Sequence, residues 1–322
     1  MSSLPIIYTL SFNSSVDHNF YLKSIRFDDI NRIEKSRMDA GGKGLNVVRM
    51  LNVFGYPSYA LTFLGGPNGI TLKKLLEEEK IPFRYIHIKG NTRNIFNFIA
   101  GNKVLRINEK GPFISKEELD AFLHLIYSLN LSKGDIISIS GSVPHGIKHS
   151  IYRDIIKKVR TKGGIIALDT DGELLKEGIK GKPHIIKPNL WELDRVTGRK
   201  IRSLNTLKDI LNSLIDSGIS TVLLTNGEKG ALLFSKTHFL YSRPSSIKAV
   251  STIGCGDTFL AGFLYGYCKN KPPEGCLALA VAAGTAKALK EGTGMPGRKD
   301  VMEIYKSVKV INASKRKTLP FF

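Results

Sequence analysis

Cysteine is scarce in this 322-residue chain: Cys255, Cys268 and Cys276 all fall late and form no CxxC pair. That pattern leaves no cysteine-built metal site and fits a reduced, cytoplasmic protein. Long apolar runs are missing too. None approaches the ~20 residues needed to cross a bilayer, so no membrane partner is expected. Residues 1–12 lack a basic stretch and a small-residue cleavage site, so no signal peptide is expected either. Acidic residues are few: 28 Asp and Glu stand against 48 Lys and Arg, a net charge of +20. Two readings of that excess are open, nucleic-acid binding or a lysine-rich surface that partly serves anionic substrates. The basic residues are spread along the chain, and only Lys315-Arg316-Lys317 is a dense run. Neither zinc-finger spacing nor an RNA-recognition aromatic motif occurs, so no nucleic-acid partner is expected. What is present is apolar material enough for a folded core, 42% hydrophobic and 9% aromatic.

Strand-like and helix-like runs alternate. Residues 6–12, 59–64, 136–140, 165–169, 184–187 and 221–225 read as short buried strands. Residues 42–54, 71–80, 116–129, 147–160 and 204–217 read as helices. Such alternation predicts an α/β fold, a doubly wound and mostly parallel sheet whose ligands lie beyond the carboxyl ends of the strands. No repeat, low-complexity tract or linker interrupts the chain, so residues 1–322 are expected to form one domain. Segments 14–40 and 91–110 depart from the alternation, with β-prone stretches and a hairpin expected across Gly101-Asn102. They predict a small accessory sheet, a lid or a dimer surface; ordinary edge strands of the main sheet are the alternative.

Two glycine-rich sites carry the chemistry. Ser251-Thr252-Ile253-Gly254-Cys255-Gly256-Asp257 opens a helix expected over residues 255–269, with Phe259, Leu260, Phe263, Leu264 and Tyr267 on one face. Ala261, Gly262 and Gly266 would let that helix lie close to a neighbour. A helix start has unpaired N–H groups and attracts anions. An acid beside such an anion hole suits phosphoryl transfer, the amides holding the moving charge and Asp257 taking a proton from the attacking hydroxyl. A turn followed by an N-cap aspartate is the alternative. Upstream, Asp39-Ala40-Gly41-Gly42-Lys43-Gly44-Leu45-Asn46 opens a second helix and favours a phosphate or polyhydroxy ligand. It is neither a Walker A loop nor a dinucleotide fingerprint.

Taken together, these motifs make the chain resemble the ribokinase-like carbohydrate kinases of the phosphofructokinase-B branch. Further matches follow in order: Asn13-Ser14-Ser15-Val16-Asp17, Ser140-Gly141-Ser142-Val143-Pro144, Lys187-Pro188-Asn189-Leu190-Trp191-Glu192 and Thr225-Asn226-Gly227-Glu228-Lys229-Gly230. The resemblance implies a three-layer ribokinase-like fold with a β-sheet lid, and transfer of the ATP γ-phosphoryl group to a sugar hydroxyl. It implies Asp257 as general base and the amides of Gly254, Cys255 and Gly256 as the anion hole. Asn13, Asp17, Gly42, Lys43 and Asn46 would hold the sugar. Lys187, Asn189, Thr225, Gly227 and Gly230 would border ATP, and Glu192 would reach Mg²⁺, through water. Ala282, Ala283 and Gly284 would give the adenine an apolar wall. The Cys255 thiol, at a helix N-terminus, is expected to be acidic and oxidisable. A homodimer through the lid is also implied.

The stretch Lys89-Gly90-Asn91-Thr92-Arg93-Asn94 resembles the Gly-x-Thr-Arg segment of the sugar-phosphate kinases of this branch. There Lys43 and Arg93 would grip a phosphate already on the sugar, with Arg32 and Arg106 adding to the field. The implied acceptor is a ketohexose monophosphate, fructose 1-phosphate first, with tagatose 6-phosphate and fructose 6-phosphate as rivals. A free sugar or nucleoside, or a kinase-fold binder without catalysis, are the remaining readings. Asn13–Asp17 lacks the family's usual proline.

Overall fold

The computed structural model describes residues 4–101, 103–244 and 246–322. The main sheet starts with β1 (Ile7–Ser11), flanked by β4 (Ser58–Leu64) and β8 (Ile136–Ser140). Beyond β4 lies β5 (Phe83–His87). Beyond β8 lie β9 (Ile165–Asp169), β10 (Ile185–Ile186) and β11 (Thr221–Thr225). All these pairings are parallel. β12 (Ala231–Ser235), β13 (Phe239–Ser242) and β14 (Val310–Asn312) then add antiparallel, completing ten strands. The chain winds one way from β1 through β4 and the other way through β8. The topological switch therefore falls between β1 and β8, and a crevice opens at their carboxyl ends.

Alternation along the strands builds two cores. Tyr8, Leu10, Ile137, Ile139, Ile166 and Leu168 face a helical layer of α3 (Lys116–Tyr127), α4 (Ile151–Thr161), α5 (Gly172–Ile179), α6 (Leu190–Thr197) and α7 (Leu204–Asp216). Ile7, Ile136, Ala167 and Leu223 face the other layer, α1 (Lys43–Val53), α8 (Cys255–Cys268), α9 (Pro273–Ala288) and α10 (Arg298–Ser307). The three-layer arrangement matches the sequence expectation. So does the close approach of α8: a Cβ on Gly262 would lie 2.6 Å from the Leu279 carbonyl of α9, and one on Gly266 3.1 Å from Cys276 Cα. Tyr267, expected on the buried face, is 41% exposed.

The second sheet has four strands in the order β3 (Lys35–Gly41), β2 (Ser15–Tyr21), β6 (Arg93–Ala100) and β7 (Lys103–Asn108). Segments 14–40 and 91–110 thus pair with one another, not with an edge of the main sheet. Ala100 pairs with Lys103, as the hairpin requires, while Asn102 in its turn lies outside the described residues. Remaining α2 (Gly66–Glu78) packs beneath β4 and begins five residues before the expected start at Thr71, because Gly65 and Pro67 suit a helix N-terminus. Helix α4 begins at Ile151 instead of Ile147, and the strand expected over 184–187 is reduced to Ile185–Ile186.

Candidate active site

Helix α8 begins at the crevice. Its N-cap is Gly254, left-handed at φ 74°, so Asp257 is the third helical residue and not a cap. The alternative of an N-cap aspartate is set aside. The Asp257 side chain is instead 6% exposed and accepts a 2.8 Å hydrogen bond from Asn46 Nδ2, which α1 presents one turn in. The first amides of α8 have no partner within the helix. The Cys255 N–H reaches the Thr252 carbonyl only at 3.4 Å. Two lysines come close to this helix start. A Cβ on Gly256 would sit 3.3 Å from Lys187 Nζ, and one on Gly254 3.4 Å from Lys287 Cε. Glycine is thus what lets positive charge reach the first turn.

Beneath the helix start lies a buried charge cluster. Asp169, at the carboxyl end of β9, is 1% exposed. Its two oxygens face Lys43 Nζ at 3.1 Å and Lys187 Nζ at 3.2 Å. Burial would raise the Asp169 carboxyl, but Lys187 and Lys43 outweigh it and hold the group below its ordinary range. Burial would lower Lys43, yet Asp169, Asp257 and Glu192 together hold its ammonium above the ordinary value. Asp257 goes up, through burial first and the Asp169 charge second, against Lys43, Asn46 and Lys187. Lys187 is itself buried, 5% exposed. The sequence reading left Asp169 without a role. The available signal was an acid closing a buried parallel strand, where ligands of such folds gather.

An open cleft of about 1100 Å³ runs over this cluster. It exceeds the ~300–1000 Å³ of a single drug-sized ligand pocket. It is lined by Asp17, Gly42, Lys43, Asn46 and Arg93 toward the small sheet, by Gly254, Cys255, Gly256 and Asp257 at the centre, and by Lys187, Asn189, Glu192, Thr225, Gly227 and Gly230 at the other end. Of the residues singled out in the sequence, Asn13 does not line it. Asn13 donates to the Lys110 carbonyl at 3.0 Å and to Ser142 Oγ at 3.2 Å, tying the end of β1 to the end of the small sheet. Asp17 lies 5% exposed and accepts from Ser15 Oγ at 2.6 Å. Its carboxyl is pushed up to about 6, chiefly by burial, against Ser15 and Arg93. Gly41 must be glycine, since a Cβ there would overlap the Asp17 carboxylate.

The small sheet turns its polar face inward. Asp17, Ile95, Asn97, Arg106 and Asn108 share the cleft side in register. Asn97 and Asn108 were missed, although their period-two spacing with Ile95 and Arg106 was legible. Arg106 lines the cleft; Arg32 does not, and stays exposed in the loop after β2. Arg93 donates to the Asn13 and Glu109 carbonyls, and Arg106 to Asn97. Neither guanidinium has an ion-pair partner among the described residues, unlike Lys43. Lys43 is coupled to Asp169, Asp257 and Glu192, whereas Arg93 is coupled to Asp17 and Glu109. Both line the cleft on the side of the small sheet, Lys43 beside Asp169 and Arg93 beside the Asn13 and Glu109 carbonyls.

At the far end Asn189 caps α6 in a reciprocal box with Glu192, each side chain bonding the other's backbone N–H at 2.8 Å. Asn189 also bridges to Thr225, which joins the two loops. Glu192 is 8% exposed, and burial raises its carboxyl against Lys43 and Lys187. The apolar wall here is Val281, Gly284, Thr285 and Ala288, one face of α9. Ala282 and Ala283, expected in that wall, instead point into the core of that layer. Arg243, which no motif marked, also reaches the cleft. The Cys255 thiol is pushed up to about 11 by burial, with Lys287 opposing and Asp257 adding; the acidic thiol expected from the helix N-terminus is not found.

A buried carboxylate beside a helix-start anion hole, at the carboxyl edge of a parallel sheet, defines a three-layer α/β small-molecule kinase. The chain belongs to the pfkB family of carbohydrate kinases, whose model, pfkB family carbohydrate kinase, matches residues 10–299. It is 34% identical over 289 residues to 1-phosphofructokinase of Bacillus subtilis (strain 168), covering 90% of this chain and 94% of that one. It is 32% identical over 309 residues to tagatose-6-phosphate kinase of Staphylococcus epidermidis, covering 95% and 99%. Phosphofructokinase-2 from Escherichia coli, solved in complex with substrates and products, superposes with a TM-score of 0.89 at 26% identity, over 94% of this chain and 98% of that one. Membership implies ATP as phosphoryl donor and, as is typical, a divalent metal.

Proposed function

We propose that the chain transfers the γ-phosphoryl group of ATP to a ketohexose monophosphate, fructose 1-phosphate first, giving fructose 1,6-bisphosphate. One observation carries the choice of a phosphorylated acceptor. The guanidinium groups of Arg93 and Arg106 enter the sugar end of the cleft without ion-pair partners among the described residues. Two guanidiniums free of an ion pair among the described residues suit a planar, bidentate grip on phosphate, and an uncharged sugar needs neither. The relative named 1-phosphofructokinase supports fructose 1-phosphate; the one named tagatose-6-phosphate kinase supports tagatose 6-phosphate as the second reading.

In this reading Asp17 and the asparagines of the small sheet bond the sugar hydroxyls, and Arg93 and Arg106 hold its phosphate. Asp257, steered by Asn46, takes the proton of the attacking hydroxyl. Backbone N–H groups of Gly254, Cys255 and Gly256, with Lys43 and Lys187 behind them, stabilise charge on the transferred group. Asn189, Thr225, Gly227 and Gly230 border the nucleotide, and α9 offers the adenine its apolar face. Among the described residues no cluster of three or more His, Cys, Asp or Glu side chains could hold a metal by itself. Mg²⁺ is usually held by one or two carboxylates together with phosphates and waters, so a single carboxylate such as Glu192, at the nucleotide end of the cleft, would suffice to hold it. When bound it supplies charge neutralisation between the ATP phosphates.

The same proposal treats the whole chain as one kinase unit with the small sheet as a lid, set in the cytoplasm, where three free thiols are at home. It includes a homodimer. The outer face of the lid carries Met38, His18, Phe20, Phe96, Phe98, Leu105 and Ile107, with His18 stacked on Phe96 and Phe20 on Phe98. A sheet with its polar face inward and its apolar face outward asks to be covered, and a second lid does so.

The test is a coupled ADP-release assay with Mg·ATP and fructose 1-phosphate, fructose 6-phosphate, tagatose 6-phosphate, fructose and ribose. Expected is a kcat/KM preference of roughly 10²-fold or more for one phosphorylated ketohexose, lost in Arg93→Ala through KM. Preference for a free sugar, or equal effects of Arg93→Ala on free and phosphorylated sugars, overturns the acceptor.

A further inference from the structure

Lys187 and Lys287 are the buried lysines among the described residues. Lys187 pairs with Asp169; Lys287 has no carboxylate within ion-pair distance among the described residues, and the mechanism above does not use it. It is 0% exposed on the last turn of α9, where an apolar side chain of equal length would fill the space at less cost. Its ammonium donates to the Gly292 carbonyl at 2.7 Å. Its Cε lies against Gly254, the N-cap of α8.

The surroundings form a closed stitch between two chain segments. Val250 and Ser251 donate their N–H groups to the Ala288 carbonyl at 2.7 and 3.2 Å. Ser251 Oγ lies 3.5 Å from the same Gly292 carbonyl that Lys287 holds, and also accepts from the Ile253 N–H at 3.3 Å. The turn after α9 is therefore fastened to the loop that leads into the anion hole, with one ammonium at the junction. The charged and titratable groups facing that ammonium are Cys255 and Asp257 on α8, Arg49 on α1 and Asp39 on β3.

We propose that Lys287 is a positioning residue for phosphoryl transfer: its ammonium acts as a tethered monovalent cation that draws the Gly292 carbonyl and the Ser251–Gly254 loop together beneath the first amides of α8. The inference rests on that helix start being the reacting centre. Held this way, the amides keep their aim on the transferred group, and a fixed positive charge lies behind them. Loss of the proton weakens the stitch and removes the charge. Burial, opposed by Cys255 and reinforced by Arg49, brings this ammonium down to about 8, so the protonated form is lost as pH rises through that value.

Lys287→Met keeps the apolar stem and removes the charge. Expected is a kcat lower by roughly 10²-fold, the scale of a lost anion-hole contact, with both KM values within about threefold. The wild-type kcat falls on the alkaline side near pH 8, and this limb is absent from Lys287→Met. In Lys287→Ala, ammonium chloride recovers about tenfold in kcat, and tetramethylammonium chloride at equal ionic strength recovers none. A wild-type profile without an alkaline limb near pH 8 overturns the proposal whether or not the variants fold. So does a Lys287→Met kcat near wild type, or a loss of activity that tracks thermal stability and ignores ammonium. Asp257→Asn separates the two levels: if it turns over normally, the reacting centre lies elsewhere and the underlying mechanism fails, whatever Lys287 does.

Discussion

Replacing Asp17 by Asn should make the protein more stable and a poorer enzyme. The Asp17 carboxyl is 5% exposed and pushed from 3.8 up to about 6, because burial outweighs Ser15 and Arg93. A folded-state value above the unfolded one means that the native state binds this proton more tightly. Wild type therefore loses stability as pH rises from 3.8 to about 6, and carries the full penalty above that. At about 1.4 kcal/mol per pH unit, the difference comes to about 3 kcal/mol. With an unfolding entropy of ~2.1 cal/mol/K per residue over 322 residues, that corresponds to about 4 °C in Tm at pH 7. Asn keeps a carbonyl to accept from Ser15 Oγ, so the local geometry survives. The assay is thermal unfolding of both proteins without ligands from pH 4 to pH 8. The Tm difference should be near zero at pH 4, open through pH 5–6 and stay constant above, while KM for the sugar phosphate rises. A difference that is absent at pH 7, or independent of pH, refutes the claim that the folded protein holds a desolvated charge there.

Asp257→Asn should cut kcat by roughly 10²–10⁴ while calorimetry shows ATP binding unchanged, as loss of a general base does. Burial and Asp169 raise the Asp257 carboxyl, so wild-type kcat should fall as pH drops through a value above 3.8, the active form being the unprotonated one; an acid limb at or below 3.8 would count against Asp257. Gly262→Ala sets a Cβ 2.6 Å from the Leu279 carbonyl, a backbone atom that cannot swing away. It should cost about 1–3 kcal/mol by prising α8 from α9, read as a lower denaturation midpoint at constant slope. Leu105→Glu, on the apolar face of the lid, should give monomers by sedimentation; wild type sedimenting as a monomer at micromolar concentration would sink the lid-to-lid dimer.

Much of the architecture was legible because buried parallel strands read as short apolar runs. Residues 136–140, 165–169 and 221–225 form strands with the bounds expected. The glycine motifs at 41–44 and 254–256 marked the two helix starts at the crevice, since glycine is favoured where the backbone turns left-handed, as at Gly42 with φ 127° and Gly254 with φ 74°. The small residues Gly262 and Gly266 announced a close helix neighbour without saying which. Helix α9 went unread for a physical reason: it is buried nearly all round, so its apolar residues show no helical period. The antiparallel strands β12–β14 were missed as well, the last lying far from its partner in sequence.

The sequence by itself determined the fold class, the anion-binding helix starts and most of the residues around the cleft, because each is set by local backbone and side-chain chemistry. Tertiary structure alone decided which charges meet. Asp169 pairs with Lys43 across 126 residues and Asn46 steers Asp257 across 211. Strand register, invisible in one dimension, turned Asp17, Asn97 and Arg106 inward and the phenylalanines of the lid outward. Tertiary packing also set Asn13 outside the cleft, bonded to the Lys110 carbonyl and Ser142 Oγ. Electrostatics depends on distance and burial, and neither follows from spacing along the chain.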